Sequence, residues 1–326
     1  MRRSERPPLT TVEQDIPMAG RVKSVCGLDI RNDSICMAQY SPEAHSVTGV
    51  GVQPFEDAGD DWWKTLSAEL KKLTSEGTLS GQNVVCSLPS EWALIKDISI
   101  DKDEESVEQI IKWEFSQQIL GDIAQYVYDF QKVQRPVADE FDHYLVAAYR
   151  SDTVKRLAGL IRSYKMNPFV VDLDVFGLVN LLEANYRDCI AQPCAILFGD
   201  EHRLSVVLTQ NGDFVDWEIQ PYHLDTAAPQ ECVRKALEMF TALQTVQPAF
   251  FVEGAVPHTF LAGSAFSFPE VTEHLIANMQ NTEVLYPFKN ISFQVGRVQE
   301  NDVRKYAPRL AVAVGLAVRG GAEIAS

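Results

Sequence analysis

The chain contains no run of about 18 consecutive apolar residues, so no helix in it is expected to span a bilayer. Basic residues are in deficit: 29 Lys and Arg against 45 Asp and Glu leave a net charge of −16. An acidic surface repels phosphate backbones, which excludes nucleic acid as the main partner and disfavours an anionic membrane surface. The six cysteines (Cys26, Cys36, Cys86, Cys189, Cys194 and Cys232) include no CxxC pair, and none stands near a His at ligand spacing. Cys26, Cys86 and Cys194 lie in apolar runs, as small buried hydrophobes of a reducing compartment do. The six histidines form no HxH or HExxH motif, so no metal centre is expected. Ser87-Leu88-Pro89-Ser90 is not part of a GxSxG elbow, which leaves a hydrolase nucleophile unsupported. The first 20 residues begin with arginines but lack the apolar core of a secretory signal, so residues 1–21 are expected to be a flexible lead. No low-complexity tract or heptad run occurs. These absences lead to the expectation of a soluble, cytoplasmic protein.

What is present is a paired plan. At 326 residues the chain is long for one domain and comfortable for two, and 46% hydrophobic residues suffice for a core. Val25 to Tyr40 reads as strand, tight turn, strand, with Asn32-Asp33 at the turn. Cys194 to Thr209 repeats this design around Gly199-Asp200-Glu201-His202. Two such hairpins suggest two related halves, joined near Ala191-Gln192-Pro193.

Between and after the hairpins the periodicity gives further elements. Strands are expected at 45–52, 83–88, 126–133, 144–149, 170–174, 213–219 and 249–252, with 283–286 extended. Helices are expected at 60–73, 101–119, 151–165, 175–184, 229–244 and 270–279. Asp101 and Glu104 give the second of these a capping signature. A last helix is expected over 307–319, with Pro308 in its first turn and Gly320-Gly321 as terminator. Its small residues allow close packing, so it is expected to be central and buried.

This order resembles the actin-like fold, and within it the type IV pilus assembly protein PilM family. Three stretches carry the resemblance: GLDIRNDSICMAQ (27–39); DKDEESVEQIIKWEFSQQI with YVYDF and YLVAAYRSDTVKRLAGLIRSY (101–165); and YPFKNI with APRLAVAVGLAVRGG (286–321). The resemblance implies an α/β, actin-like (ribonuclease H-like), two-lobed fold with an inserted small α+β subdomain at about 91–165. The first lobe would span 22–190 and the second 191–321, with a tail at 322–326. It also implies a cytoplasmic partner role: binding the short tail of a PilN-like inner-membrane protein, among pilus or secretion platform and motor proteins, with a homo-oligomer left open. The related secretion protein GspL carries a membrane helix after its actin-like part, and the division protein FtsA ends in an amphipathic one. No counterpart to either is seen in this sequence.

The resemblance further implies ATP and magnesium between the two hairpins. Candidate nucleotide residues are Gly27, Asp29, Asn32 and Asp33 in the first hairpin, Gly199, Asp200 and Ser205 in the second, and Gly254 in the nucleoside turn. Each motif departs from the family pattern. Arg31 follows Ile30 where glycine is usual, Cys36 replaces a basic residue, Leu197 replaces the second Asp, and Ala255 replaces the second Gly of the turn. A leucine cannot hold a hydrated cation. Asp29 serves equally as a turn-capping residue. The expected function is therefore a scaffold without catalytic residues. The alternatives are an active ATPase or phosphotransferase and a filament-forming protein of the same fold. Trp92, Trp113 and Phe115 are the aromatic residues of the inserted unit that would suit peptide docking, and Trp62-Trp63 divides between core and surface. The acidic run Asp101 to Glu105 would attract a basic tail.

Overall fold

The computed structural model describes residues 24–55, 61–74, 82–133, 140–251, 257–294 and 300–325. Strands β1 (Val25–Ile30), β2 (Ser34–Ser41) and β3 (Ser46–Pro54) form an antiparallel meander. Helix α1 (Trp62–Thr74) then crosses to β4 (Asn83–Leu88), which lies parallel to β1. Asp61 opens α1 by accepting the Lys64 N–H, and Leu66 and Leu70 are its buried face. Such a parallel return needs a covering helix, and β4 is accordingly an almost unbroken apolar run.

Strand β5 (Leu94–Asp101), helix α2 (Val107–Gln118), β6 (Tyr126–Val133) and β7 (Phe141–Arg150) follow, making a separate three-stranded sheet ordered β5-β7-β6. Alternation sorts its faces. Ile98, Ile100, Tyr144, Val146 and Ala148 pack under Ile111 and Phe115 of α2, while Leu145, Ala147 and Tyr149 face the main core. The helix begins six residues later than the Asp101–Glu104 signature suggests. Asp101 ends β5, and Glu104 instead accepts the Ser106 N–H, so the acidic run is a strand-to-helix turn.

Helix α3 (Ser151–Ser163) leads to β8 (Asn167–Leu173), which completes the first sheet beside β4, and α4 (Asp174–Asn185) follows directly. The second sheet begins with β9 (Cys194–Gly199), β10 (Arg203–Gln210) and β11 (Asp213–Pro221). Helix α5 (Pro229–Val246), β12 (His258–Ala262), α6 (Pro269–Asn278) and β13 (Thr282–Val284) complete it. Its order, β11-β10-β9-β12-β13, repeats the order β3-β2-β1-β4-β8 of the first sheet, so the two halves share one plan. Over residues 249–251 the expected strand is not formed: Ala249 and Phe250 lie in a turn, and Phe250 and Phe251 are buried as a plug beside α5, while Val252 lies outside the described residues. The strand parallel to β9 is β12, later in the chain.

The short β14 (Ser292–Phe293) pairs with β3, and α7 (Glu300–Ala325) lies against β1, β2, β4 and α4. The end of the stretch assigned to the second lobe thus returns to the first sheet. This helix is longer than its punctuation suggests. Pro308 lies inside it, and it runs on through Gly320 and Gly321, where an added Cβ would collide with Val25, Val85 and Tyr40. Tertiary packing overrides both stop signals.

Candidate functional site

The turns after β1 and β9 and the turn after β12 converge on one cleft. In the first, the Arg31 N–H donates to the Ser34 carbonyl at 2.9 Å, leaving Asn32-Asp33 as a two-residue loop. Gly27 does not face this cleft. A Cβ there would stand 1.9 Å from the Ala313 carbonyl oxygen, so glycine is required for β1 to cross α7. Asp29 is fully buried and accepts from Arg31 Nε at 2.6 Å and from Ser87 Oγ at 3.1 Å. Arg31 is 1% exposed, and its Nη2 also donates to the Arg309 carbonyl of α7 at 3.1 Å. Burial opposes the charge on Arg31, but Asp29 outweighs it and keeps the guanidinium protonated above its ordinary range. Asp33 accepts from its neighbour Ser34, and Asn32 donates to Glu91 at 2.5 Å.

The second hairpin is self-capped. One Asp200 oxygen accepts the N–H groups of His202 and Arg203, both at 2.9 Å, and the other accepts Arg203 Nε at 2.9 Å. The backbone donors that a phosphate would need are therefore turned onto the chain's own carboxylate. Gly199 ends β9, where an added Cβ would crowd Ala265, Leu204 and Phe266, and the Ser205 hydroxyl donates to the Phe198 carbonyl. From this turn Arg203 reaches across the cleft. Its Nη2 pairs with Asp174 at 2.5 Å, and its Nη1 meets Glu91 at 2.5 Å and Ser90 Oγ at 3.0 Å. Burial works against the charge of Arg203, and Asp174, Glu91 and Asp200 together overcome it. The guanidinium carbons of Arg31 and Arg203 lie 4.8 and 5.1 Å from the centre of the Phe198 ring, as cation–π neighbours.

The third turn is Gly263-Ser264, after β12. Gly263 has φ 106°, and a Cβ there would lie 2.1 Å from the Gly199 carbonyl oxygen, so only glycine fits. Its N–H donates to the Pro308 carbonyl at 2.8 Å, which ties this turn to α7. Gly254, the residue expected in this role, lies outside the described residues, as do Glu253, Ala255 and Val256. With β12 at His258–Ala262, the position after the strand belongs to Gly263, followed by Ser264.

A magnesium–nucleotide centre needs carboxylates free for the cation and turn amides free for phosphates. Asp29 is taken by Arg31 and Ser87, Asp200 by its own turn, and Leu197 is apolar and fully buried. Among the described residues no group of three His, Cys, Asp or Glu side chains is disposed to hold a metal ion. In this arrangement the carboxylates and turn amides of both hairpins are engaged within the chain. What is left over is donor capacity: Arg31 Nη1, Arg309 Nε and Ser264 Oγ are buried without hydrogen-bond partners. Such atoms suit an anion, not a cation.

The root of the inserted sheet adjoins this cleft. Trp92 stacks edge-on against Trp62 at 4.6 Å, and the buried Tyr149 hydroxyl donates to the Leu88 carbonyl at 3.0 Å. Trp62 and Trp63 are both half-buried, with Arg156 4.5 Å over the Trp63 ring. Phe115 is core, whereas Trp113 is 61% and Leu120 88% exposed on the outer side of the unit. A cavity of about 190 Å³ lies between the inserted sheet and β11, lined by Ile95, Asp97, Leu145, Asp216, Trp217 and Gln247 among others. It borders the second lobe through Asp216, Trp217 and Gln247. Arg203, Glu91 and Asp174 were not singled out from the sequence. The only local signal is the Asp200–Arg203 spacing within the turn.

The family model described as "Type IV pilus assembly protein PilM" matches residues 27–192, more than half of the chain. Among solved structures, one chain of a "PilM-PilN type IV pilus biogenesis complex" is similar over 93% of this chain and 99% of its own, with TM-score 0.75 and 20% identity. The cytoplasmic domain of EpsL, an inner-membrane component of the type II secretion system of Vibrio cholerae, is similar over 93% and 95%, with TM-score 0.50 and 10% identity. A Bacteroides thetaiotaomicron protein with an actin-like ATPase fold is similar over 93% and 99%, with TM-score 0.53 and 10% identity. No curated protein sequence matches. The fold is thus actin-like. Among the described residues no helix is long and apolar enough to cross a membrane.

Proposed function

Because the chain belongs to the type IV pilus assembly protein PilM family, we propose that it is a non-catalytic scaffold that holds the cytoplasmic tail of a PilN-like inner-membrane protein. It works at the inner face of that membrane, within a pilus or secretion-like machine. The likeness to a chain from a PilM–PilN complex supports the choice of partner. The observation that carries the non-catalytic part is the filled cleft: Arg31 and Arg203 occupy the carboxylates that a catalytic cation would use. Docking then falls to surfaces, and the inserted unit offers exposed Trp113 and Leu120 in an acidic setting that includes Glu108 and Glu114. Such a surface suits a peptide with apolar and basic side chains.

Calorimetry tests this reading. The PilN-like N-terminal peptide should bind, Trp113→Ala should weaken it by roughly tenfold as a hot-spot aromatic does, and ATP with magnesium should be released unhydrolysed. Magnesium-dependent ATP turnover without peptide affinity would overturn the scaffold and move the phosphotransferase reading ahead.

A further inference from the structure

We infer that Glu91 is a latch that fastens the inserted subdomain to both hairpin turns, so that the subdomain's position follows the state of the cleft. The inference does not depend on the identity of any partner. Glu91 lies in the helical turn Ser90–Trp92, immediately before β5. One of its oxygens accepts from Asn32 in the first hairpin, and the other pairs with Arg203 in the second. Its neighbours reinforce the knot, Ser90 on Arg203 and Trp92 on Trp62. Three consecutive residues thus bind three separate elements at the point where the inserted unit leaves the first lobe.

The three acidic partners of Arg203 are not equivalent. The Asp174 and Asp200 side chains are 2% and 10% exposed, but Glu91 is 33% exposed. Removing Glu91 leaves the guanidinium with two buried carboxylates, so Arg203 stays paired while the root of the inserted unit loses its tie to the first hairpin and one of its ties to the second. Beyond the latch, the inner face of the inserted sheet stays in the main core through Leu145, Ala147 and Tyr149, and the 190 Å³ cavity lies beside it between β5 and β11, so the unit keeps one fixed face and has room next to it. Glu91 is therefore the exchangeable arm. A ligand group or partner side chain that displaces it loosens the root of the inserted sheet while the core face of β7 stays in place.

The test uses the full chain in a Cys189→Ser background, with spin labels on Gln117→Cys in α2 and Ala242→Cys in α5, both exposed. In the parent the inter-label distance should be narrow. Glu91→Gln should broaden it and speed amide exchange in β5 and β11 by about tenfold, the scale of one charge-assisted hydrogen bond. Exchange in β9 and β10 and the thermal midpoint should stay close to parent values. Glu91→Asp, which keeps the charge but shortens the reach, should behave like Glu91→Gln, and Asn32→Ala should give a smaller change in the same direction. A parent-like distance and exchange pattern in Glu91→Gln would overturn the latch. So would a loss of protection throughout the chain, because Glu91 would then be part of the core and not a releasable tie.

Discussion

Arg203 holds three carboxylates on one guanidinium, and this sets what its loss should do. Truncation leaves Asp174 and Asp200 buried and unpaired, a situation that costs about 3–5 kcal/mol. Urea denaturation of Arg203→Ala should show a loss of that size, well above the loss in Glu91→Gln, whose partner keeps two other ions. The thiols give a second residue-scale expectation. Burial pushes Cys26 and Cys36 up to about 12 and Cys194 and Cys232 up to about 11, and Cys86 rises further still. A raised thiol pKa means almost no thiolate at pH 8, and thiolate is the reactive form. A chromogenic disulfide reagent should therefore titrate at most the half-buried Cys189 in the native protein, and all six thiols only after denaturation. At this scale the sequence was legible for Asp200 as a turn residue, whereas Asp29 lies within β1 and caps no turn, and the partners of neither were legible. Asp174 and Glu91 lie 29 and 112 residues from Arg203 along the chain, a separation that no local pattern encodes.

At the scale of elements, two crossings are set by contact. Gly27→Ala places a methyl group against the Ala313 carbonyl, so β1 or α7 must shift. Overpacking of this kind costs about 1–3 kcal/mol or more, and the thermal midpoint should fall without loss of the β-sheet signal. Phe115→Ala acts elsewhere. It empties the core under α2 at a cost of about 3–5 kcal/mol, and faster hydrogen exchange should be confined to β5, β6 and β7. If exchange rose equally in the second sheet, the inserted unit would not have a core of its own. The elements legible in advance were those with a clean period, such as α3, β6 and the two hairpins. The misreadings share a cause. Pro308, Gly320 and Gly321 look like punctuation, yet packing on β1, β2 and α4 carries the helix through them. The apolar run Ala249 to Val252 followed by glycine looks like a strand, yet the ladder beside β9 was taken by His258–Ala262.

At the scale of the molecule, a net charge of −16 favours basic partners at long range. Association with a basic peptide should slow as salt is raised, while dissociation from an apolar contact changes little. The repeat of one five-strand order in two sheets explains why the two-lobed plan could be read from paired hairpins alone. It does not explain α7, which binds residues far from it: the contact from Arg31 to Arg309 spans 278 positions. That separation has a consequence for biosynthesis. The strand β1 leaves the ribosome long before the helix that covers it exists, whereas the second sheet receives α5 and α6 from its own neighbourhood. Assembly should therefore run against the order of translation. The later half closes first, and the earlier half waits, one apolar face uncovered and dependent on chaperones, until α7 arrives.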